Sequence, residues 1–96
     1  MPNPETALTL RREARCADEL DKGEFCYARR DDGTVKWVHF WPHDCPVPLS
    51  ASIAPQRNGQ GATWTLSGTE DAPTLQPSVD ARGIWHGFLT NGVAKQ

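Results

Sequence analysis

The stretch from Trp64 to Val93 constrains the fold most. It reads Trp64-Thr65-Leu66-Ser67-Gly68, then Pro73-Thr74-Leu75-Gln76-Pro77-Ser78-Val79, then Trp85-His86-Gly87-Phe88-Leu89-Thr90-Asn91-Gly92-Val93. Tryptophans, prolines and glycines alternate here with short apolar runs. Each such residue fixes one packing or backbone demand, so the block reads as the framework of a small β-rich fold. Trp64 and Trp85 are its expected core anchors.

The chain has 96 residues, enough for one domain over 1–96 with one modest core. Only 38% of residues are hydrophobic, but there are four tryptophans. Each can bury on the order of 150–250 Å², which offsets the shortage. A net charge of −2 favours neither nucleic acid nor an anionic membrane. No apolar run is long enough to span a bilayer. Met1-Pro2-Asn3-Pro4-Glu5 lacks the basic region and apolar run of a secretory leader. Three cysteines, Cys16, Cys26 and Cys45, are irregularly spaced and argue for reduced thiols. The expected setting is a bacterial host cytoplasm.

Residues 1–8 are Pro-rich and expected to be flexible. Leu10, Ala14, Ala17 and Leu20 form one narrow apolar stripe, which predicts a helix over Arg11–Asp21. Glu24–Arg30 and Thr34–Trp41 read as strands joined by the turn signal Asp31-Asp32-Gly33. Further strands are expected at Ser50–Ala54, Ala62–Ser67, Gly83–Leu89 and Val93–Lys95, with a turn at Asn91-Gly92. Thr69–Pro77 reads as a loop in which Pro73 and Pro77 suggest extended edges. The expected class is α+β: one N-terminal helix packed on a small, mostly antiparallel twisted sheet.

The run Gly23–Arg29, the Trp64-x-Leu66-x-Gly68 unit, Pro73-Thr74-Leu75-x-Pro77-Ser78-Val79 and Trp85-His86-Gly87-x-Leu89-x-Asn91-Gly92 resemble a family of small phage- and prophage-encoded proteins of unknown function. Many of its members carry a Cys-Pro-Cys-Gly-Cys-type cluster and a later cysteine, together resembling a structural zinc site. Here the first place holds Pro42–Pro48 with Cys45 alone, and Arg82-Gly83-Ile84 precedes Trp85. The resemblance implies a phage-related origin and brings no activity.

His39, His43, Cys45 and His86 are the residues that could hold a zinc ion. Without a Cys-x-x-Cys pair the reading is no metal and no cofactor. His86 could act as a general base. Without a recognised motif around it, it reads as a packed strand residue. Arg11, Arg12, Arg15, Arg29 and Arg30 lie near Asp18, Glu19, Asp31 and Asp32 in sequence, a charge density the C-terminal half lacks. With Phe25, Tyr27 and Trp41 as apolar anchors they form a candidate docking surface for a host or phage protein. The leading expectation is thus a non-enzymatic, phage-type binding protein, for example an anti-CRISPR-like inhibitor that evades host defence. The alternative is a degenerate zinc-ribbon-like nucleic-acid module. A small hydrolase using His86 with Cys45 or Asp44 comes third.

Overall fold

A computed structural model describes residues 5–10 and 19–96. Its regular elements among those residues are ten strands: β1 Glu5–Ala7, β2 Thr9–Leu10, β3 Glu24–Arg29, β4 Val35–Phe40, β5 Leu49–Ser52, β6 Thr65–Gly68, β7 Pro73–Gln76, β8 Val79–Ala81, β9 Trp85–Thr90 and β10 Val93–Lys95. The class is all-β, which corrects the α+β expectation. Of the helix expected over Arg11–Asp21, residues 11–18 lie outside the described residues, Glu19 alone is helical among the rest, and Leu20 and Asp21 are not.

One sheet has the order β1-β10-β9-β8 and a second the order β2-β3-β4-β5, while β6 and β7 form a separate hairpin. The chain enters through the first sheet at β1 and crosses at Leu8 to run parallel to β3 as β2. Both short strands fall where the sequence carries no strand signal. Strands β7 and β8 fall in or beside the stretch read as a loop. Pro73 is tolerated because it occupies the first position of its strand.

The inner faces of both sheets share one core. Phe25, Val38 and Phe40 enter it from one sheet, Val79, Trp85 and Leu89 from the other, and Leu75 from the hairpin. Phe40 and Trp85 meet edge to face across it, ring centroids 5.9 Å apart. Trp64 and Trp85 are both buried, as their sequence context predicts. The β9–β10 turn follows its Asn-Gly signal, with Asn91 at φ 50° and Gly92 at φ 78°.

The cysteine expectation needs correction. Cys26 is disulfide-bonded, whereas Cys45 is a free, buried thiol. Three cysteines permit one bridge and one thiol, so an odd count does not exclude a disulfide.

Candidate active site

Strand β9 alternates strictly. Trp85, Gly87 and Leu89 are buried, and His86, Phe88 and Thr90 are exposed. Strand β8 pairs with it antiparallel, Val79 opposite Gly87 and Asp80 opposite His86. The link between them is short: Ile84 N donates to Ala81 O at 2.8 Å, with Gly83 at φ 74°. Because side chains alternate along a strand, this register fixes which residues share the outer face. Ser78, one residue before β8, lies on that face diagonally across from His86, within reach of a ring.

The two meet. Ser78 Oγ and His86 Nε2 share a 3.1 Å hydrogen bond. Ser78 is held from its other side as well, since the indole N–H of buried Trp64 donates to its carbonyl at 3.2 Å. The other ring nitrogen of His86 has no partner among the described residues. Asp80 is its cross-strand neighbour and is itself without a hydrogen bond or ion pair there.

His86 is also fixed through its main chain. Gln96 Oε1 accepts from the His86 N–H at 3.4 Å, while Gln96 Nε2 donates to Asp44 Oδ2 at 2.9 Å. The other Asp44 oxygen accepts the Trp85 indole N–H, also at 2.9 Å. Gly87 permits the close approach of the final strand. A Cβ there would stand 2.3 Å from Lys95 O and 2.8 Å from Gln96 Cα.

Ser78 opens onto a groove of about 850 Å³, whose walls include Arg57, Asn58, Trp64, Asp80 and Arg82. A nucleophile hydrogen-bonded to a histidine, beside a groove of peptide size, is a constellation suited to acyl transfer. A second pair, Ser50 and His39, is shorter at 2.7 Å. Ser78 lines the groove, whereas Ser50, His39 and His86 do not. Burial also lowers the His39 pKa, which weakens its ring as a base.

Ser78 is the residue that sequence reasoning missed. The signal was the Arg82-Gly83 turn. A hairpin centred there sets Asp80 against His86 and brings Ser78 to the adjacent diagonal position.

The expected metal ligands are scattered. His39 contacts Ser50, His86 contacts Ser78, and the buried Cys45 thiol donates to Val47 O at 3.0 Å. His43 lies over Gly23, its Nε2 within 2.7 Å of where a Cβ would stand. No group of three or more His, Cys, Asp or Glu side chains gathers among the described residues. Cys45 is therefore no partner for His86, and Asp44 acts through Trp85 and Gln96.

The expected docking residues are described only in part. Arg11, Arg12, Arg15 and Asp18 lie outside the described residues, and Glu19 is exposed. Phe25 is fully buried and cannot be an exposed anchor, because alternation on β3 turns it into the core. Tyr27 Oη donates to Glu70 O at 2.6 Å, and Arg29 forms an ion pair with the Glu70 carboxylate. Arg30 reaches Thr34 Oγ1 and Val35 O. Asp31 is exposed. Asp32 accepts from the Thr34 hydroxyl and N–H, which hold its carboxyl below its usual range. Trp41 is half-buried and donates to Cys45 O at 2.8 Å.

No helix among the described residues is long and apolar enough to cross a membrane. No curated protein and no solved structure matches the chain. A family model does match, BubE, described as bacterial ubiquitination-like system serine protease, over residues 12–96. That match overturns the expectation of a non-enzymatic phage inhibitor, since the family it identifies is described as a protease of a bacterial system. Ser78 and His86 both fall inside the matched region, and with 85 of 96 residues covered the chain belongs to the BubE family of bacterial ubiquitination-like system serine proteases.

Proposed function

We propose that the chain is a serine peptidase with Ser78 as nucleophile and His86 as general base. The observation that carries the reading is the 3.1 Å contact between Ser78 Oγ and His86 Nε2, with Ser78 itself lining the groove. The family description supports the reaction type, and it directs the activity to proteins of a ubiquitination-like system. Such systems join proteins through amide bonds, so an amide linking a modifier to its target, or to its own extension, is the bond in question. Protein partners follow from that setting.

In the first step Ser78 Oγ attacks the carbonyl carbon, and its proton passes to His86 Nε2. The C–N bond then breaks, and His86 returns the proton to the departing amine. Water attacks the resulting ester with His86 again taking the proton. The Ser78–carbonyl bond breaks, Ser78 recovers its proton and a carboxylic acid leaves. Asp80, opposite His86 in the ladder, supplies negative charge on the face where the imidazolium forms. Trp64 and Gln96 hold the main chains of the two reacting residues.

A fluorophosphonate probe tests this directly. Ser78 Oγ forms a bond to phosphorus and fluoride leaves, so peptide mapping of the intact folded protein reports the modified residue. The expected result is modification at Ser78, lost in Ser78→Ala and strongly slowed in His86→Gln. Modification at Ser50, or none on a folded protein, overturns the assignment.

A further inference from the structure

Strand β8 is the edge of its sheet. It pairs with β9 and, among the described residues, with nothing on its other side. The groove that contains Ser78 runs along this open edge. Pro77, Ser78, Asp80, Ala81 and Arg82 form one wall, and the 57–64 segment forms the other. The Ser78 carbonyl is taken by the Trp64 indole N–H, but beyond it an unpaired edge presents main-chain donors and acceptors, which is how extended peptides add to sheets.

The charge of the walls differs from that of the chain. The protein carries a net −2, yet the groove is lined by Arg57 and Arg82 against Asp80 alone. Arg57 is partly engaged, its Nη1 donating to Gly61 O at 2.8 Å. Arg82 is exposed and has no hydrogen bond or ion pair among the described residues. The far wall is fixed in place: Asn58 Oδ1 accepts from Gln60 N and Ala62 N, both at 2.9 Å. A rigid channel with a free guanidinium therefore begins at the nucleophile and follows a strand edge.

Resting on the peptidase reading, we infer that the substrate's acyl side binds as an extended strand along the free edge of β8, with a carboxylate side chain held by Arg82 and Arg57. The acyl side is chosen because it stays bonded to Ser78 until water releases it, so it must be held while the amine departs. From Ser78 to Arg82 is about 13 Å of extended chain, which sets the acidic residue roughly two to four positions from the scissile bond. The substrate class is thus a protein with an extended, acidic segment ahead of the cleaved amide.

The test uses the full chain and glycine diphenyl phosphonates carrying short acetyl-alanine arms. Ser78 Oγ bonds to phosphorus and phenoxide leaves, so phenol release gives the rate. Arms with Glu at each position are compared with their Gln twins. The Glu arm is expected to react about five-fold faster at one position, the upper range for a solvent-exposed ion pair. That Glu/Gln ratio should fall towards one in Arg82→Gln, a change that breaks no bond within the protein. N-methylation of the arm's amides should slow reaction at alternate positions, as a strand ladder requires.

Equal Glu and Gln rates throughout, or a ratio that survives both Arg82→Gln and Arg57→Gln, would overturn the acidic preference. Indifference to N-methylation would overturn the strand geometry. Both outcomes leave the peptidase reading intact provided that the simple fluorophosphonate still modifies Ser78. If that probe fails, the reading itself falls and this inference with it.

Discussion

Asp44 accepts the indole N–H of Trp85 at 2.9 Å, one residue away from His86, the proposed general base. Its second oxygen takes the Gln96 side-chain amide, whose own oxygen faces the His86 N–H. A half-buried carboxylate from the β4–β5 connection thereby fixes two residues that flank or hold His86. Asp44→Ala leaves the N–H of a buried tryptophan unpaired, and should cost about 1–3 kcal/mol of stability. Urea unfolding measures that loss. Ser78 modification should slow as well, with Asp44→Asn, which keeps one acceptor oxygen, falling between the two.

Trp64 performs two tasks that a single substitution can separate. Trp64→Ala removes a buried indole and should cost about 3–5 kcal/mol. Trp64→Phe keeps most of the packing but loses the donor to the Ser78 carbonyl. Its stability cost should be nearer 1 kcal/mol, while Ser78 reactivity drops. Equal reactivity in Trp64→Phe and the parent would show that the 3.2 Å contact does not position the nucleophile.

Gly87→Ala is expected to act on function through the backbone. Its Cβ would meet main-chain atoms of Lys95 and Gln96, which cannot rotate away. The end of β10 must shift, taking Gln96 from His86. The expected outcome is lower Ser78 reactivity together with a fall in melting temperature, and a nuclear magnetic resonance spectrum whose changes centre on β9 and β10.

How much of this was legible beforehand depended on the spacing of turn signals. Asp31-Asp32-Gly33 and Asn91-Gly92 each mark a real hairpin, and all six expected strands overlap observed ones within a few residues. Reading Thr69–Pro77 as a loop with extended edges missed the pairing of β7, since a proline at a strand start looks the same in sequence as one in a loop, and the three residues of β8 carry too short a pattern to stand out. The cost was specific. Without β8 the chain offered His86 no partner, and Cys45 and Asp44 were the nearest chemical candidates. Proximity in the ladder, which makes Ser78 a nucleophile candidate, is a property of register. Composition and motif searching do not carry it.

His39 gives a pH prediction. Burial holds its pKa below the ordinary value near 6.5. The unfolded chain therefore takes up a proton near pH 6.5, while the folded chain resists until lower pH. Stability is full above about 6.5 and is lost as pH falls from there towards the folded value. Urea midpoints between about pH 5 and 8 should show this slope, and His39→Gln should flatten it. An unchanged slope in the variant would assign the pH dependence to other groups.

The three-residue connection Arg82–Ile84 has a consequence for how such a site can change over time. Side chains on a strand alternate with a period of two, so the face His86 occupies is a matter of counting. Insert one residue while the three-residue turn is kept, so that the register slips, and His86 turns into the core as Trp85 turns out to solvent. Insert two and both return to their faces, displaced by two positions along β8. Register slips in this hairpin are thus filtered by parity: even ones keep His86 on the outer face, while odd ones exchange that surface for a broken interior.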